Sequence, residues 1–166
     1  MNFEDHLQYI IHAHRNHSTN THKAVRYWDM KTPYSIHPIW CAMTLLTETS
    51  LPEATRENGS LALLYHDILE DTTVELPEYL PERVRYLVQE MTFEEGSAQE
   101  MREIWSKESE VKLLKLYDKV SNSLDGIWMT PEKYRQYNEY VRRLLHEVEA
   151  EYGELNIVKI GRVIIG

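Results

Sequence analysis

The stretch from Leu61 to Thr72 reads Leu-Ala-Leu-Leu-Tyr-His-Asp-Ile-Leu-Glu-Asp-Thr, an apolar run whose end carries His66, Asp67, Glu70 and Asp71. At roughly 100° per residue those four groups fall within about 140° of one another on a helix, with Leu61, Ala62, Leu64, Tyr65, Ile68 and Leu69 mainly opposite. One face then belongs to a core and the other can do chemistry. The plain alternative is a helix that turns polar as it reaches the surface. Imidazoles and carboxylates near a core are costly unless paired or bound to a metal, so chemistry here needs partners from elsewhere in the chain.

Two other stretches offer them. Val111 to Asn122 is an apolar helical pattern interrupted by Asp118, with Asn122 four residues on and Asp125 continuing the same line. Thr32-Pro33-Tyr34-Ser35-Ile36-His37-Pro38 sets His37 before a proline, which favours extended backbone at His37 and a helix starting just after it. Assembled, His37, His66, Asp67 and Asp118 offer two imidazoles and two carboxylates, a mixed nitrogen and oxygen set suited to Mn²⁺, Fe²⁺, Co²⁺ or Zn²⁺. Four such ligands around an octahedral ion leave positions open for water and substrate.

Helices must position these groups. Periodicity and capping signals predict helices over about 3–14, 38–48, 54–70, 82–91, 97–106, 108–124 and 131–151, with a short helix between Pro77 and Pro81. No hairpin signal occurs, so the fold class expected is all-α. The apolar, β-branched tail 154–166 reads as a short strand or a segment that docks on the body or on another chain, which leaves homo-oligomerisation open.

At 166 residues the chain fits a single domain, 1–166, and its 42% apolar content carries no run long enough to span a membrane. A cytoplasmic setting is the default expectation, since the polar start is not a signal peptide. The net charge of −9, without a basic stretch, speaks against nucleic-acid binding. Cys41 reads as a packing residue. His12, His14, His17 and His22 read as mobile surface imidazoles, a second metal site being the alternative. Lys112 and Lys115 read as a solvated flank, and Arg142 and Arg143 as surface residues.

The order His37, then His66-Asp67, then Asp118 resembles the HD superfamily of metal-dependent phosphohydrolases, which are helical bundles with a metal site between helices. More narrowly, Arg26 with Thr32–Pro38, the run His66-Asp67-Ile68-Leu69-Glu70-Asp71-Thr72, and Lys115-Leu116-Tyr117-Asp118-Lys119-Val120-Ser121-Asn122 resemble the RelA/SpoT-type hydrolases of guanosine tetraphosphate and pentaphosphate, over roughly residues 22–145. The likeness is to the small stand-alone members. It implies Mn²⁺ on His37, His66, Asp67 and Asp118, with Glu70 and Asp71 positioning or deprotonating the attacking water. It also implies nucleotide contacts from Arg26 and Asn122, further contacts from Lys133 and Tyr137, and removal of the 3′-pyrophosphate to give GDP or GTP. Such an ion acidifies a bound water and polarises the phosphoryl group. Three features depart from the pattern: the spacing before Arg26, the 51-residue interval from Asp67 to Asp118, and the bulk of Tyr65 and Tyr117. An HD-domain phosphatase acting on another nucleotide or on a phosphorylated dinucleotide, and a non-catalytic nucleotide sensor, are the rival expectations.

Overall fold

In the computed structural model, which describes residues 3–166, the chain is a helical bundle. The order is α1 (Phe3–Asn16), α2 (Ile36–Leu46), α3 (Glu53–Tyr65), α4 (Ile68–Asp71), α5 (Glu82–Met91), α6 (Ser97–Glu103), α7 (Ser109–Ser123), α8 (Pro131–Tyr152) and α9 (Asn156–Ile165). Among the described residues, extended pairing is limited to the isolated bridges Ser18 with Thr72 and Val25 with Pro33.

Helix α7 is the axis, packed against α2, α3, α5, α8 and α9. Its residues from Leu113 to Ser121 are all buried, so apolar Leu113, Leu114, Leu116 and Val120 share the interior with Lys115, Asp118 and Lys119. Charges at that depth require partners, and they dictate much of the site. Gly59 lets α2, α3 and α7 come together: a Cβ there would lie 2.7 Å from Leu45 Cδ2 and 3.0 Å from Leu114 Cδ2. Helix α8 starts on a Thr130 side-chain cap to the Lys133 N–H, with Pro131 next, where a missing N–H is harmless.

Four expectations from sequence are corrected. The strand reading of the tail is overturned while its docking on the body holds: it is a helix whose Ile157, Val158, Gly161 and Ile165 share one face and bury it against α7 and α8. Between Pro77 and Pro81 the chain makes a turn closed by the Leu80 N–H on Pro77 O, since the prolines frame too few residues for a helix. His37 is helical, its N–H bonded to Tyr34 O at 2.9 Å; Pro38 sits in the first turn, where no N–H is needed. The helix expected over 54–70 breaks after Tyr65 and resumes at Ile68, with Asp67 at φ −93°, ψ −1°.

Candidate metal centre and its cleft

That break shapes the site. Successive residues on a regular helix point about 100° apart, and at the end of α3 His66 and Asp67 nonetheless meet at one centre. Asp67 itself sits at ψ near 0°, where the chain leaves α3 and redirects the residues that follow into α4. His66 Nε2 and Asp67 Oδ2 are 3.2 Å apart.

The other groups arrive from α2 and α7. His37 Nε2 lies 3.2 Å from His66 Nε2, 3.4 Å from Asp67 Oδ2 and 3.4 Å from Asp118 Oδ1; His66 Nε2 is 3.7 Å from Asp118 Oδ1. Neighbouring ligand atoms on an ion with bonds of about 2.1 Å sit roughly 3 Å apart, so the spacing fits a metal. His37, His66 and Asp118 have the mutual spacing of a metal-holding group, and Asp67 lies against both rings. The far edges of the rings are held as ligating histidines require: His66 Nδ1 donates to Leu63 O at 2.7 Å, leaving Nε2 to face the centre, and His37 Nδ1 meets Ser121 Oγ at 2.8 Å. Tyr34 Oη donates to Asp67 Oδ2 at 2.8 Å.

The carboxylates also draw positive charge to the centre. Burial works against a charge on His66, yet Asp67 and Asp118 outweigh it and push its pKa up to about 9. Burial wins at His37, which stays below its ordinary value despite the same carboxylates. Asp118 falls well below the carboxylate range: burial opposes this, but Lys119 and Lys115 beside it prevail.

Those lysines belong to a buried network. Asp118 Oδ2 takes Lys119 Nζ at 3.0 Å and Lys115 Nζ at 3.3 Å, and Glu100 Oε2 of α6 takes the same two at 2.9 and 3.1 Å. Tyr140 Oη closes the far side of Glu100 at 2.7 Å. Lys115 is therefore buried, not a solvated flank; Lys112 pairs with Glu147 instead.

Above the centre opens a cleft of about 280 Å³. Arg26 lines it, its Nε 3.1 Å from Asp125 Oδ2 and one terminal nitrogen 3.3 Å from Asn122 Oδ1, while Asn122 Nδ2 donates to Asp118 Oδ1 at 2.6 Å. Asp71 lines it with Lys23 Nζ at 2.7 Å. Burial, with Asp67 nearby, raises Asp71 to about 6 although Lys23 pulls the other way. Glu70 also lines the cleft, anchored by the Phe93 N–H at 2.9 Å. Tyr137 forms part of the wall, donating to Lys119 O at 3.0 Å. Lys133, one turn earlier on the same face of α8, is exposed and outside the lining. Carboxylates Asp67, Glu70, Asp71, Glu100, Asp118 and Asp125 outnumber cations Lys23, Arg26 and Lys119, each of which has an acidic partner.

Lys23, Glu100 and Lys119 were not singled out from sequence. Lys119 had a weak signal, a charge directly beside Asp118 with Val120 following; Glu100 had none, sitting in a polar segment. Tyr65 and Tyr117 are packing residues outside the cleft, their hydroxyls meeting His6 and Glu48. His14 is buried rather than a mobile surface imidazole, its ring 4.9 Å from that of Tyr34. Among the described residues no metal-like cluster includes the N-terminal histidines.

No family model matches the chain, and no curated protein matches its sequence. Among solved structures it is similar to a metazoan ortholog of SpoT, a protein that hydrolyzes ppGpp and plays a role in starvation responses. The two are 23% identical with a TM-score of 0.75, the match covering 98% of this chain and 92% of that one. This establishes the fold as the all-helical architecture of that hydrolase. No described helix is long and apolar enough to cross a membrane.

Proposed function

We propose that this chain is a divalent-metal-dependent pyrophosphohydrolase that removes the 3′-pyrophosphate of guanosine tetraphosphate and pentaphosphate, giving GDP or GTP and pyrophosphate. The observation that carries this is the convergence of His37, His66, Asp67 and Asp118 beneath a cleft that also holds Glu70, Asp71, Arg26 and Asn122. The fold shared with a ppGpp-hydrolysing protein adds support.

His37, His66, Asp67 and Asp118 would hold the ion, Mn²⁺ being the expected one. Once bound, the ion supplies a Lewis acid that offsets the excess of carboxylates and makes water acidic enough to attack a phosphoryl group near neutral pH. Asp71 accepts the proton of the attacking water, a task suited to a carboxyl raised to about 6. Glu70, fixed by the Phe93 N–H, orients that water. Arg26 and Asn122 bind the nucleotide, and Tyr137 gives the cleft a rigid wall.

The test is incubation of Mn²⁺-loaded protein with guanosine tetraphosphate beside an Asp67→Ala control, products being resolved by ion exchange. GDP and pyrophosphate from the unmodified chain alone are expected. Orthophosphate as the sole phosphorus product would reassign the cleft to a phosphatase, and tight binding without turnover would make it a sensor.

A further inference from the structure

Tyr34 is common to two cavities: the cleft, and a second one of about 450 Å³. The second is lined by apolar Ile11, Val25 and Pro33 together with His14, Arg15 and Lys31. Three features mark it as more than a packing void. His14 is 1% exposed, and neither ring nitrogen meets another side chain, the backbone at Lys23 being its one polar neighbour. No acidic residue lines the cavity, although the chain carries a net charge of −9. Arg15 and Lys31 are exposed and in no ion pair among the described residues, whereas every cation of the cleft already has a carboxylate.

We infer that this second cavity is a binding site for a small organic anion, a carboxylate or phosphomonoester on an apolar body, with Arg15 and Lys31 meeting the charge and His14 supplying a directed hydrogen bond. The apolar wall takes the body of the ligand, as in small-molecule sites generally. Burial pushes His14 down to about 4, so the ring is neutral at physiological pH and offers one donor and one acceptor while the two surface cations carry the charge.

The probes are benzoate and phenyl phosphate, titrated into the full chain while the His14 imidazole resonances are followed by NMR, with benzyl alcohol as the uncharged comparison. A saturable shift is expected with one or both anions, the stronger identifying the head group. Binding should weaken about tenfold in the Arg15→Ala/Lys31→Ala variant, whose altered side chains are exposed and leave the fold alone. Unmoved His14 resonances would overturn the assignment, as would an equal response to benzyl alcohol. An undiminished response in the double variant would also overturn it, because Arg15 and Lys31 would then not be meeting the charge.

Discussion

Glu100→Gln isolates the buried charge network. Glu100 and Asp118 balance Lys115 and Lys119, and all four side chains are at most 11% exposed. Glutamine keeps the shape, leaves one net positive charge enclosed, and removes the charged acceptor shared by both ammonium groups. Breaking a buried pair from one side costs about 3–5 kcal/mol. For a 166-residue chain, at roughly 2–4 °C per kcal/mol, Tm should fall by about 6–20 °C. The assay is thermal unfolding of metal-free protein at neutral pH by far-ultraviolet circular dichroism. A second variant, Glu100→Gln/Lys119→Met, restores neutrality with Lys115 still on Asp118 and should regain a good part of the loss. If the single variant melts within about 1 °C of the parent, or the double variant is no better, the four groups do not act as a balanced unit.

Asp71→Asn should abolish the acidic limb of kcat/KM. With the folded carboxyl raised from 3.8 to about 6, the parent gains its unprotonated base, and therefore rate, as pH climbs through about 6; a limb that survives in the variant removes Asp71 from that role. His14 drops from 6.5 to about 4 on folding, so the unfolded chain takes its proton first and stability declines as pH falls through that window, by about 3 kcal/mol. Urea titrations at several pH values should show a shallower decline for His14→Gln, and parallel curves would refute the assignment. Mn²⁺ at a hundredfold excess over its Kd should stabilise the parent by about 2.7 kcal/mol, with chelator reversing the gain and Asp118→Asn showing none; a parent Tm indifferent to Mn²⁺ would argue against the centre.

Much of the fold was legible because periodicity registers which face of a helix is buried, and α1, α5 and α8 were placed nearly to the residue. The tail misled because Ile157, Val158, Val163 and Ile164 favour strands locally, while packing against α7 and α8 selects a helix. Motif spacing brought His37, His66, Asp67 and Asp118 to attention. The break at Asp67, where two consecutive side chains meet at one point, has no local signature, since a residue near ψ 0° is chosen by its surroundings. Glu100 was equally hidden: its meaning comes from lysines on another helix.

The cleft's cations are already matched, Lys23 with Asp71, Arg26 with Asp125, and Lys119 with Asp118 and Glu100. A polyanion entering it must displace a carboxylate at each step, and few loosely held counterions are released to the bulk. Attraction at a distance is accordingly feeble, and ionic strength has little leverage on occupancy compared with an open basic groove. Selectivity then rests on how well an incoming molecule substitutes for the internal acids one by one.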